Sequence, residues 1–259
     1  MSDTTQPPLR IVVLGSSCSL WVSPPRTHRE EGTYGELLPG LLAEHGQPAD
    51  VRHTGKWFDM VNEARRRYEY AVRAHYPDVL ILNYGLAEEQ PNFLPTWIVR
   101  HFTSWDLSSR PAAVAYRRYV APRLWRLARS WQRLAARVST RFSWRLSPTR
   151  FAREMRRIID LARSDTRCLV LVLDVDPPDG RLLHWIPGLD RRWEQYQAML
   201  RRLIEEIDDP EVRLVANSRS LEELGLAVGL PDGMHRSAVG HVATAHLLAD
   251  EIIDWLNRP

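Results

Sequence analysis

The chain has 259 residues, 44% hydrophobic and 26% charged, with a formal net charge of +3 at pH 7; this is ordinary globular composition, long enough to bury a substantial core, and it excludes wholesale disorder. Two cysteines, Cys18 and Cys168, make no C-x-x-C spacing, which excludes a disulfide framework and a zinc cluster. The basic residues are 34 Arg and the single Lys56, an imbalance that reflects genome composition rather than chemistry.

The polar, proline-containing start gives way to an apolar run at 11–14 that is too short for a signal-peptide core or a spanning helix. A soluble, cytoplasmic protein with no integral-membrane segment is expected. The first strand is predicted at 9–14 and runs into Gly15-Ser16-Ser17, a small-residue turn that can present a hydroxyl at a strand's carboxyl edge. Such a turn also serves as a plain loop or a phosphate cradle. Helical spacing follows at 34–45, a short strand at 50–53, and helical spacing again at 59–75. The third strand, 78–83, contains Val79-Leu80-Ile81-Leu82, apolar without alternation, as expected of a strand covered by helices on both faces. Beyond residue 147 the pattern resumes: helix 147–162, strand 168–172, helix 191–207, strand 212–216 and helix 237–256, stopped by Asn257-Arg258-Pro259. Strands alternating with helices predict an α/β fold, a three-layer α/β/α sandwich around a five-stranded parallel sheet of flavodoxin-like winding. Ligands of such sheets sit outside the carboxyl ends of the strands.

One stretch breaks the alternation. More than eighty residues separate the third and fourth strands, where a crossover needs far fewer. A single domain over 1–259 with a helical insertion or lid at 89–150 is expected. Residues 100–150 hold twelve Arg and one acid, Asp106, a net charge of +11 that leaves −8 for the rest of the chain. Trp97, Trp105, Trp125, Trp131 and Trp144 are interleaved with these arginines, and 112–138 reads as a basic amphipathic helix. Nucleic acid, an anionic membrane surface, an acidic carrier protein, or no partner at all fit such a segment; no nucleic-acid recognition motif accompanies the charge, so nucleic acid is not expected.

Chemistry concentrates at the two ends of the chain. Pro231-Asp232-Gly233-Met234-His235 puts a carboxylate three residues before an imidazole, with Gly233 allowing the tight turn that brings Asp232 back to His235. An aspartate on one ring nitrogen fixes the tautomer and leaves the other nitrogen free to take a proton from a serine, which activates a weak nucleophile. The plainer alternative is a loop whose Asp caps the helix and whose His faces water. Asp174 and Asp176, ahead of Pro177-Pro178, read as turn residues, and His241 and His246 as ordinary helix-face histidines, since no His-Glu-x-x-His spacing for a metal occurs. Without Gly-x-Gly-x-x-Gly or a P-loop, no nucleotide cofactor is expected, and no cofactor or metal of any kind.

Ile11-Val12-Val13-Leu14-Gly15-Ser16-Ser17 resembles the opening strand and Gly-Asp-Ser box of SGNH/GDSL hydrolases. Asp232-Gly233-Met234-His235-Arg236-Ser237-Ala238-Val239-Gly240-His241 resembles their terminal Asp-Gly-x-His stretch, and the 77–88 segment, ending Gly85-Leu86-Ala87-Glu88, is similar to the third strand and its Gly-x-Asn-Asp box. The resemblance implies an SGNH hydrolase fold and a Ser17–His235–Asp232 triad, with Ser16, Cys18, Gly85 and Glu88 about the substrate. Two departures stand out. Ser16 replaces the family's Asp, and Ala87 replaces the Asn that donates to the oxyanion, a loss on the order of 100- to 1,000-fold where such a donor has been removed. Backbone N–H groups of Ser17 and Gly55, or the side chains of Asn83, Asn92 or Lys56, are the candidate replacements. The implied activity is that of a serine esterase or acyltransferase on a small-molecule ester or thioester, presented free, on coenzyme A or on an acyl carrier protein. A catalytically impaired binder of an acylated partner is the alternative.

Overall fold

The structure, a computed structural model, describes residues 7–23, 32–56, 59–90, 111–120, 123–124, 126–127, 130 and 145–258. Five strands, β1 (Leu9–Gly15), β2 (Ala49–His53), β3 (Val79–Asn83), β4 (Leu169–Leu173) and β5 (Val212–Val215), form one sheet in the order β2-β1-β3-β4-β5. Every neighbouring pair is parallel. The expected α/β/α sandwich is therefore present.

Alternate residues of each strand face opposite layers. Val12, Leu14, Leu80, Leu82, Val170 and Val172 pack with Phe151, Met155, Ile158 and Ile159 of the helix Pro148–Asp165 and with Tyr196, Leu200 and Leu203 of the helix Leu189–Ile207. Ile11, Val13, Val79, Ile81, Leu169 and Leu171 pack on the other face against Tyr34, Leu38 and Leu42 of Tyr34–Glu44 and Ala245, Leu248 and Ile252 of Ala238–Leu256. With helices on both faces, β1, β3 and β4 are apolar at almost every position and buried at their centres, which is why they lack the two-residue alternation of a one-sided sheet.

Several boundaries differ from the sequence expectation. The stretch 59–75 is not one helix but Val61–Arg66, Tyr68–Ala71 and the 3-10 turn Arg73–His75, with Tyr76 left-handed at its end. Short helices at Ser17–Leu20, Gly180–Trp185, Asn217–Leu224 and Leu226–Gly229 were not signalled by any long periodic pattern. Of the amphipathic helix expected at 112–138, the described residues include the α-helix Pro111–Ala115 and the π-helical turn Tyr116–Val120, and most of the remainder lies outside the described residues. Among the described residues no helix is long and apolar enough to cross a membrane.

The order of strands reverses between β1 and β3: the chain goes out to β2, then returns to the other side of β1. The carboxyl edge at such a reversal is the general ligand position of an open α/β sheet.

Candidate active site

Ser17 follows β1 at that edge and begins the short helix Ser17–Leu20. From the other end of the chain, the turn before Ala238–Leu256 delivers His235, whose Nε2 lies 3.1 Å from Ser17 Oγ. His235 Nδ1 lies 2.9 Å from Asp232 Oδ2. An ionised carboxylate only accepts hydrogen bonds, so Nδ1 carries the proton and Nε2 is left as an acceptor facing the serine hydroxyl. Gly233 holds φ +81, the left-handed turn that lets Asp232 fold back, and the second carboxylate oxygen, Oδ1, accepts the backbone N–H groups of Met234 (2.9 Å) and His235 (2.7 Å). Burial opposes ionisation of Asp232, but the bond to and charge of His235, with those two N–H groups, outweigh it and hold the carboxyl well below its usual range.

The two loops are joined by more than the Ser17–His235 contact. Arg236, fully buried, donates from its guanidinium to the Cys18 carbonyl (2.9 Å) and to Asp176 Oδ1 (2.6 Å), and stacks over the Tyr34 ring. Asp176 also accepts from Asn217 Nδ2 (2.8 Å), whose Oδ1 accepts from Thr244 Oγ1 (2.7 Å). Burial lowers the Arg236 pKa, yet the neighbouring Asp176 carboxylate more than offsets that, so the guanidinium stays charged. Ser23 N–H donates to the Arg236 carbonyl (2.8 Å), and the Cys18 thiol to the Met234 carbonyl (3.4 Å). Three of the four residues adjacent to the Ser17–His235 pair, Cys18, Met234 and Arg236, are thus tied to the opposite loop.

His241, one turn into the last helix, is a buried strut rather than a surface histidine. Its Nδ1 accepts from Tyr34 N–H (3.2 Å) and its Nε2–H donates to the Trp21 carbonyl (2.8 Å), while the Trp21 ring lies 5.1 Å from the His235 ring. Burial, then the positive Arg236, lowers the His241 pKa from 6.5 to about 3. Between those values the unfolded chain takes up a proton that the folded chain refuses, so this residue's contribution to stability is lost as pH falls through 6.5 toward 3. Chemical denaturation across that window is expected to show the stability gap between the wild type and His241→Asn narrowing by about 1.4 kcal/mol per pH unit.

The remaining sequence-predicted residues form the wall behind the serine. Ser16, Cys18, Gly85 and Glu88 are buried. Burial pushes the Cys18 thiol up to about 12, which leaves it protonated and non-nucleophilic. Glu88, expected near substrate, instead turns inward: its two oxygens accept the backbone N–H groups of Val61 (2.7 Å) and Gly85 (2.9 Å), and burial raises it to about 7. Asn83 is buried too and donates its amide to the Tyr34 hydroxyl (3.2 Å). Ala87 is half-buried in the turn after β3 and carries no side-chain donor. Asp174 and Asp176, read from sequence as turn formers, are buried acceptors that tie the end of β4 to the helix Asn217–Leu224; Asp174 accepts Ser218 N–H (2.7 Å) and the Ser218 hydroxyl. Asn92 lies outside the described residues.

Gly55 sits where its neighbour requires a missing side chain: a Cβ there would come within 2.1 Å of the Gly15 carbonyl oxygen. Lys56 N–H donates to that same oxygen (3.2 Å), so the loop after β2 is laid directly on the loop that carries Ser17. Gly55→Ala cannot be absorbed by a rotamer change and is expected to cost about 1–3 kcal/mol in a urea titration while displacing the nucleophile loop. Among the described residues no group of three or more metal-ligating side chains occurs.

No family model matches the chain, and no curated protein matches it. Solved structures do. A lipase/acylhydrolase from Enterococcus faecalis superposes with a TM-score of 0.63 at 14% identity, covering 94% of this chain and 95% of that one. The acetylxylan esterase from Geobacillus stearothermophilus gives 0.60 at 14% identity, with 94% of each chain covered. A G-D-S-L family protein from Desulfitobacterium hafniense gives 0.57 at 11%, covering 93% of this chain and 98% of that one. At these identities the likeness is one of fold, and the fold of this chain is that of the SGNH/GDSL hydrolases.

Proposed function

We propose that the protein is a serine hydrolase of the SGNH/GDSL type acting on an ester or thioester through an acyl-enzyme. Ser17 Oγ attacks the acyl carbonyl as His235 Nε2 takes its proton, and Asp232 stabilises the imidazolium that forms. His235 then returns the proton to the leaving alcohol or thiol, and water or a second alcohol releases the acyl group by the same steps in reverse. The backbone N–H groups of Ser17, at the first position of a helix where no intrahelical acceptor exists, and of Gly55 are the oxyanion donors in this reading. The observation that carries it is the unbroken line from Asp232 through His235 to Ser17, at 2.9 and 3.1 Å.

Whether water or another acceptor resolves the acyl-enzyme separates an esterase from an acyltransferase, and coenzyme A or carrier-protein thioesters are donors to assay beside simple esters. Ala87 favours a second reading, a protein that binds an acylated partner without turnover. A fluorophosphonate probe decides: labelling of the wild type and its loss in both Ser17→Ala and His235→Ala are expected. Equal labelling of all three proteins, or of none, sinks the hydrolase reading in favour of the binder.

A further inference from the structure

The long stretch between β3 and β4 is anchored at the rim of the site. Its two ends are joined to each other: Arg145 N–H donates to the Gln90 carbonyl (3.0 Å) and Leu146 N–H to the Glu88 carbonyl (3.3 Å). Gln90 Nε2 in turn lies 3.9 Å from Met234 Sδ, next to His235 in the chain. Within this stretch Val114, Tyr119, Val120, Leu124 and Leu127 are between 42% and 59% exposed. Val120 ends the π-helical turn, Leu124 and Leu127 are helical residues three apart, and Arg118, Arg123 and Arg126 are exposed among them. Elsewhere the large apolar side chains exposed among the described residues are Tyr70, Tyr76, Leu161, Val228 and the pair Val239 and Val242 on the last helix, a pair with no arginine between its members.

We propose that the exposed apolar and arginine side chains of the described part of this segment, between Val114 and Leu127, dock the protein on an anionic lipid surface, with the anchored ends of the segment keeping that surface on the Ser17 side of the sheet. Aliphatic and aromatic side chains enter the boundary between headgroups and acyl chains, and the flanking arginines meet the anionic headgroups. The charge distribution orients the molecule, since the +11 of residues 100–150 is drawn to the surface while the −8 of the remainder is repelled. An acidic carrier protein would satisfy the arginines but leave the exposed apolar side chains in water, which is why lipid is the better fit.

Docking does not rest on the hydrolase reading and is measured in the full-length Ser17→Ala protein. Co-sedimentation with vesicles of phosphatidylcholine alone, and of phosphatidylcholine with added phosphatidylglycerol, is expected to pellet the protein with the anionic vesicles only. The double variant Leu124→Asp, Leu127→Asp and, separately, the triple variant Arg118→Gln, Arg123→Gln, Arg126→Gln should each weaken that partition by about tenfold or more, with unchanged circular dichroism because every altered side chain is exposed. No pelleting with anionic vesicles, equal pelleting with the uncharged ones, or undiminished pelleting of the leucine variant would overturn the proposal; the last would point to headgroup charge alone and so to any acidic partner.

Discussion

Ser17→Ala is expected to lower kcat for hydrolysis of an activated ester by about four to six orders of magnitude, the range seen when one member of a cooperating triad is removed. The alanine protein should remain folded, because the hydroxyl it loses is half-buried and bonds to His235. His235→Ala should fall into the same range, and the double variant should be no worse than either single one, because a nucleophile without its base and a base without its nucleophile are equally idle. Asp232→Asn keeps the shape of the turn but removes the charge that stabilises the imidazolium, and it allows the ring to sit in the wrong tautomer. It should cost about 10,000-fold. Steady-state kinetics on the four proteins distinguish this pattern from the independent, additive losses of residues that merely line a pocket.

Arg236→Met is expected to be the most destabilising single change at the site. The methionine fills much of the volume but makes no hydrogen bond to the Cys18 carbonyl and leaves the Asp176 carboxylate buried without its counter-ion. Breaking a buried ion pair on one side costs about 3–5 kcal/mol, which in a domain of this size lowers the melting temperature by roughly 10 °C. Removing the stranded charge as well, in Arg236→Met with Asp176→Asn, should recover part of that loss, because the penalty lies in the unpaired carboxylate more than in the lost attraction. Thermal unfolding of the single and double variants checks the sign: a double variant less stable than the single one would show that the pair holds the loops by some means other than charge compensation.

The central strands β1, β3 and β4 were legible because their apolar runs are nearly continuous and bounded by turn residues, as a strand covered on both faces must be, whereas the edge strands β2 and β5 carry charged residues and show only as short runs in the alternation with helices. The two ends of the site were legible for a different reason: Gly15-Ser16-Ser17 and Asp232-Gly233-Met234-His235 are local patterns, each complete within a few residues. What sequence did not expose is the set of long-range pairs between them. Arg236 and Asp176 are 60 residues apart, and in a chain with 34 arginines nothing in the spacing singles out the few that are buried, Arg236 most fully among the described residues. Asp174 and Asp176 precede two prolines, so local turn chemistry accounted for them, and only the packing of the end of β4 against the helix Asn217–Leu224 reveals their partners. Helical spacing reads His241 as an ordinary helix-face histidine because it does not report that Tyr34 and Trp21 close over it. The resemblance places Glu88 about the substrate and Asn83 is a candidate oxyanion donor, but a side chain at a sheet edge can point either way, and both make their hydrogen bonds inside the protein.

The account stands on Ser17 becoming acylated during turnover, and one measurement reads that event directly. The wild-type protein is mixed with a slowly deacylated ester, quenched in acid and digested, and the peptides are weighed and fragmented. An added mass equal to the acyl group, localised to Ser17 and absent from the His235→Ala protein, is the result the geometry calls for. Substrate consumed with no adduct on Ser17, or an adduct that forms equally well without His235, would contradict it.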